Sequence, residues 1–237
     1  MVVVNLVTLL TWGGIMTGIM ATTGMPKSFE DSLKFARDSH WLFYTGSYVN
    51  MVLLTILGVM VWAGLYRLLR DDLGFWADAG FALVPIYAII ALFSYSSQLV
   101  IVPRLLADMS TAQSSGTSGT LLRYLLQIWP QSSLQYFDQF SYFILGITTF
   151  IFGVGLARRR GALRASGWLF TVGLPFTTAI GLGVLFGWTQ VVSTTSLVAG
   201  VLSILAEVLL AIGLLRPEGA RLKSPRQEPV ALGASPT

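Results

Sequence analysis

Six long apolar runs constrain this chain more than any single motif in it. They cover roughly residues 2–20, 41–66, 73–102, 136–157, 167–188 and 192–215. A helix rising about 1.5 Å per residue needs about 20 such residues to cross a hydrocarbon layer of about 30 Å, and each run meets that length. Backbone groups in hydrocarbon must be satisfied within the segment, and none of the runs alternates as a barrel strand would. The expected class is therefore all-α: a polytopic membrane bundle of six transmembrane helices. Composition agrees. Only 11% of the 237 residues are charged against 54% hydrophobic, and the mean hydropathy is +0.71. A soluble domain carries roughly 25% charge.

Basic residues predict the orientation. With six spans, the second-to-third and fourth-to-fifth connections share a side with both termini. That side holds Arg67, Arg70, Arg158, Arg159, Arg160, Arg164, Arg216, Arg221, Lys223 and Arg226, whereas the other holds Lys27, Lys34, Arg37, Arg104 and Arg123. The positive-inside rule then places both termini in the cytoplasm, in a cell (inner) membrane. The net charge of +4 becomes a rim facing anionic lipid, and nucleic acid is not an expected partner. The first span has no basic residue before Lys27 and no convincing small-x-small cleavage site after it, so it is read as a retained helix and not a signal peptide.

Two outer segments, 26–40 and 103–135, complete a transmembrane domain over 1–216, and 217–237 is expected to be a disordered cytoplasmic tail. The first outer segment predicts a short interfacial helix. Pro26 and Ser28 open it, Asp31 follows Ser28 at capping-box spacing, and Lys34 and Arg37 sit near its end. In the second, the Ser/Thr/Gly run 110–120 is expected to be mobile, while 121–129, ended by Pro130, predicts an interfacial or re-entrant flap.

The chain has no cysteine and one histidine, which excludes thiolate metal sites, Cys nucleophiles and poly-His centres. No metal site and no cofactor is expected. Gly116-Thr117-Ser118-Gly119 has the form of an intramembrane serine protease motif, but that chemistry needs a histidine beside the serine. The lone His40 stands next to Trp41, as an interfacial side chain. Linker and anchor are the readings taken.

Glu207 is the informative residue. It lies nine residues before Arg216, roughly 13 Å into the membrane at helical rise. A charged carboxylate at that depth is costly and by default marks a functional site. Ser196, Gly200, Ser203, Glu207 and Ala211 recur at helical spacing and form a small-polar stripe that should face the bundle. Asp78, six residues past Asp72, is expected at similar depth, where the two acids would meet if the third and sixth spans were neighbours. Both are candidate general acids. Asn50, with Gly46 and Ser47, and Gln98, with Ser94, Ser96 and Ser97, are outer-level polar groups. Together with Ser203 they are the candidate ligand-binding residues, and Asp138 stands at a comparable level on the fourth span. Pro85 should bend the third span. Gly14–Gly18 and Gly183–Gly187 have helix-packing spacing.

The first span's Trp12-Gly13-Gly14-Ile15-Met16-Thr17-Gly18 and the second's Gly64-Leu65-Tyr66-Arg67-Leu68-Leu69-Arg70, with the span spacing, resemble a family of small bacterial six-helix membrane proteins of unknown function. The resemblance covers most of 1–216 and implies architecture but no activity. From the scarcity of catalytic groups, the expected function is a non-catalytic accessory subunit or a binder of lipid or another hydrophobic small molecule. Membrane lipids, partner membrane subunits or further copies of the chain are its expected partners. Two alternatives use the intramembrane acids: an enzyme acting on a lipid or isoprenoid by general acid catalysis, and a small proton-coupled transporter. The lack of an internal repeat weakens the second.

Overall fold

A computed structural model describes residues 1–22, 24, 26–109 and 115–216. It is all-α, with no strand among the described residues. The elements are α1 (Val2–Thr22), α2 (Phe29–Asp38), α3 (Ser47–Leu73), α4 (Phe75–Asp108), α5 (Ser115–Leu125), α6 (Ser133–Ala157), α7 (Gly161–Phe186) and α8 (Thr189–Leu215). A wide turn of π geometry, Leu42–Gly46, leads into α3. Six helices (α1, α3, α4, α6, α7 and α8) are long and apolar enough to cross a membrane. The disordered-tail expectation for 217–237 and the first part of the 110–120 run lie outside the described residues.

Asn5, near the start of α1, meets Glu207, in the C-terminal half of α8, and that end of the bundle is called here the terminal end. α2 and α5 lie at the opposite, cap end. α6 packs on α7 and α4, α7 on α8, and α4 on α3, while α1 closes the ring between α3 and α8. Large apolar side chains such as Ile89, Leu185 and Leu197 are 69% exposed, as a lipid-facing surface requires.

Small residues set the closest crossing. A Cβ on Gly167 of α7 would stand 2.3 Å from the Ala157 nitrogen and 2.6 Å from the Gly153 oxygen, both backbone atoms of α6. On the same pair of helices, a Cβ on Gly146 would stand 2.0 Å from the Thr177 hydroxyl. Without a hydrophobic drive between helices in lipid, such close approach and its dispersion contacts hold the pair together. Polar bonds then tie neighbours. Ser166 donates to the Ala206 carbonyl (2.8 Å) and Thr148 to the Gly80 carbonyl (3.1 Å). At the terminal end Arg159 pairs with Asp72 and reaches the Leu68 carbonyl. Of the two glycine pairs noted by spacing, Gly183 packs tightly on Val192, within the bundle, but Gly187 serves as the positive-φ cap of α7 (φ 69°). Gly14 meets nothing.

The capping box that opens α2 forms as its sequence predicts: Asp31 N–H donates to Ser28 Oγ, and Ser28 N–H to Asp31 Oδ2. The second outer segment differs from expectation. α4 continues through Pro103 to Asp108, because Val102, Leu105 and Leu106 pack into a cap-end cluster with Ile19, Phe29, Leu122 and Leu126. That burial outweighs the hydrogen bond Pro103 forfeits. Ser115–Leu125 form a helix, α5, which buries Ser118 and Leu122 on one face. α6 also begins earlier than expected, with Ser132 Oγ accepting from Gln135 N–H as its N-cap.

Gly167→Ala should therefore lower the thermal unfolding midpoint in detergent, at a cost of about 1–3 kcal/mol for overpacking against backbone. Gly64→Ala, where an added Cβ meets nothing within 4 Å, should be neutral or stabilising. Equal midpoints for the two variants would refute the α6–α7 crossing.

Candidate functional site

The bundle holds a partly open cavity of about 400 Å³ lined by side chains from every long helix. On α6 its wall runs from Gln135 to Thr149 and on α8 from Ser196 to Glu207, roughly 16–21 Å along the axis at helical rise. Its waist is apolar and aromatic, with Trp12, Met51, Tyr87, Leu145 and Phe170 among the lining. A carboxyl stands toward each end, and Thr55 and Thr177 are polar groups of the wall between them.

At the terminal end stands Glu207. The stripe predicted on α8 does face inward: Ser196, Gly200, Ser203 and Glu207 line the cavity, Ala211 is buried, and Leu205 and Ile212 on other faces are exposed. The carboxylate finds its partner on α1, where Asn5 Nδ2 donates to Glu207 Oε2 at 2.8 Å. Asn5 is 3% exposed and its Oδ1 is buried with no partner. This bond joins the first and last helices, 202 positions apart in sequence. Sequence reasoning missed Asn5. Its signal was available as an amide inside an otherwise apolar span, which hydrocarbon tolerates only with a partner.

Asp78 does not join Glu207. It accepts from the Tyr66 hydroxyl at 2.7 Å and lies 3.5 Å from Arg70 Nε, half exposed, in the first turn of α4. α4 packs against α3, α5 and α6, and α8 against α7 and α1, so the third and sixth spans are not side-by-side neighbours. Asp78 is absent from the cavity wall.

At the cap end the carboxyl is Asp138, 4% exposed on the second turn of α6. Gln127, from the connection after α5, stands beside it, as does Tyr95 of α4, whose hydroxyl is 2.9 Å from that of Tyr142. Asp138 Oδ1 and Gln127 Oε1 are buried without a partner. Ser196 of α8 donates to Gln139 of α6 at the same end (3.0 Å).

The remaining predicted ligand residues divide. Ser203 lines the cavity one helical turn from Glu207. Gln98 is fully buried behind the wall: its Oε1 accepts from the Tyr44 hydroxyl and from Gln127 N–H (3.1 Å each), and its Nε2 donates to the Leu125 carbonyl at 2.7 Å. Its hydrogen-bonding capacity is spent on positioning the segment that carries Gln127. Asn50 stands outside the cavity wall with Oδ1 buried and unpartnered, while its neighbours Ser47 and Met51 face in. His40 accepts from Leu42 N–H at 3.2 Å and packs on the rings of Trp41 and Phe43, an anchor at the start of the second span. Ser118 is buried on α5. Among the described residues no group of three His, Cys, Asp or Glu is arranged to hold a metal ion.

No family model, curated protein or solved structure matches this chain. The reading of the site therefore rests on its own geometry.

The Asn5–Glu207 bond should be worth about 0.5–3 kcal/mol, the range from a neutral bond to one made by an ionised carboxylate. Asn5→Leu should destabilise more than Glu207→Gln, because it strands an intramembrane carboxylate while the glutamine retains an acceptor for Asn5. A double-mutant cycle of Asn5→Leu with Glu207→Leu, which removes the acceptor, measures the coupling on thermal unfolding, and additivity of those two changes would show that the bond does not form.

Proposed function

We propose that this protein is an integral membrane protein that binds a lipid-soluble molecule inside its helical bundle. The observation that carries the reading is the cavity of about 400 Å³, with a mainly apolar wall and a carboxyl toward each end. Ligand sites commonly fall between about 300 and 1,000 Å³ and combine a mainly apolar wall with a few polar groups that fix orientation. An empty apolar space of this size would forfeit dispersion contacts on every side. Membrane lipid is the solvent from which such a ligand enters, and a partner subunit or a second copy of the chain is the destination to which a binder would present it. The basic residues at the terminal end support an orientation with both termini in the cytoplasm of a cell membrane.

A carboxyl at each end of one cavity favours a second reading, in which protons move during binding. Glu207 would then act as a general acid on a bound lipid or isoprenoid, or as the proton site of a small transporter, with Pro85 of α4 as its hinge.

Gly200 offers a clean test. It lines the cavity, and a Cβ there meets nothing within 4 Å. Gly200→Leu should fold normally yet reduce the occupancy of co-extracted hydrophobic molecules at least about tenfold, the worth of about 1.4 kcal/mol. Native mass spectrometry after mild detergent extraction measures this. A parent protein that carries nothing, or a variant that carries as much as the parent, would remove the binding reading. Under the second reading, proteoliposomes bearing Glu207→Gln should lose any flux or turnover that depends on a pH gradient.

A further inference from the structure

Resting on the binding reading above, we infer that the cap end of the cavity recognises a protonated amine, so that the ligand is a hydrophobic cation with at least one N–H donor. Three observations converge on this. The first is charge. The cavity wall includes two carboxyls, Asp138 and Glu207, and no Lys, Arg or His among the described residues. Glu207 has Asn5 as its donor, but nothing cationic in the wall answers Asp138.

The second is unsatisfied acceptors. Asp138 Oδ1 and Gln127 Oε1 are both buried without a partner, on side chains 4% and 7% exposed that line the same end of the cavity. A buried acceptor left unmade costs about 1–3 kcal/mol, and more when it is charged. Gln127 and Tyr95 are the polar neighbours of the Asp138 carboxyl, and the Gln127 amide oxygen is without a partner there. The amide oxygen is thereby left for a ligand. Two unpartnered acceptors at one end of the cavity ask for a group that donates. An ammonium has that chemistry, whereas a carboxylate or phosphate, which only accepts, would be repelled.

The third is the aromatic surround. Tyr48, Tyr95 and Tyr142 all lie within electrostatic reach of Asp138, and all three line the cavity. Their phenol oxygens, the atoms that interact with the carboxyl, add further acceptors for an ammonium N–H. A carboxylate, an amide oxygen and phenol oxygens around one space make an ammonium pocket, and the apolar waist toward Glu207 accepts the body of the molecule.

The experiment uses the full chain in a neutral maltoside detergent, with 4-phenylbutylamine and its uncharged counterpart 4-phenylbutanol as probes, each followed by equilibrium dialysis against a detergent blank. The parent protein should bind the amine roughly 10- to 100-fold more tightly than the alcohol, the worth of a charge-assisted hydrogen bond. Asp138→Asn should abolish that preference, whereas Asp71→Asn, an exposed acid outside the cavity, should retain it. Equal binding of amine and alcohol by the parent would overturn the amine inference and leave a generic hydrophobic site standing. Binding of neither probe would overturn both. If Asp138→Asn does not fold, the comparison within the parent protein still decides, and Gln127→Leu, which removes the orphaned amide oxygen, should weaken the amine more than the alcohol.

Discussion

The physical constraint beneath this structure is that hydrocarbon offers polar atoms no alternative partner. In water an unpaired amide or carboxyl at a helix surface is satisfied by solvent. In the membrane it must find a partner inside the bundle or enclose a wet or liganded space. The helices are consequently rotated so that the stripe Ser196, Gly200, Ser203 and Glu207 turns inward, while Leu205 and Ile212 turn to the lipid. The same demand reaches across the whole chain. It brings α1 against α8, where Asn5 can meet Glu207, and closes the ring of six helices around an internal space.

What keeps that space from collapsing is the distribution of small and large residues. α6 and α7 are drawn together by Gly146, Gly153 and Gly167, positions at which a methyl group would strike the facing helix. Elsewhere Trp12, Trp62, Tyr87 and Phe170 supply bulky rings to the wall, with Trp62 stacked on Phe152 and edge-on to Phe170. At the cap end, Gln98 fastens the chain that follows α5 by bonding to Leu125 and Gln127. Phe29 seals the outside of the same region, packing on Trp129 and beneath the Arg123 guanidinium. The cap is therefore a fitted cover that presents Gln127 to Asp138.

Several parts of this arrangement were readable one residue at a time. Glu207 was expected to look inward because its own helix carries a small-polar face, a one-dimensional pattern at helical period. The α2 cap was predictable for the same reason: Ser28 and Asp31 are three positions apart and need no distant contact. Asp78 shows where such reasoning stops. Depth along a helix can be counted, but depth does not say which helices are neighbours, and Asp78 bonds with Tyr66 and Arg70 instead of Glu207. Gln98 carried the right polarity for a ligand residue, yet its side chain serves the backbone of the cap.

By itself, then, the sequence determines the solvent, the number of spans and the inward face of α8, because each follows from local hydrophobic length and period. Tertiary structure alone decides that Asn5 completes Glu207, that α4 runs on through Pro103, and that Asp138 rather than Asp78 is the second acid of the cavity. Those outcomes depend on which helices pack side by side, and that order is chosen by close contacts such as Gly167 on Gly153, between residues distant in the chain and specified jointly by both.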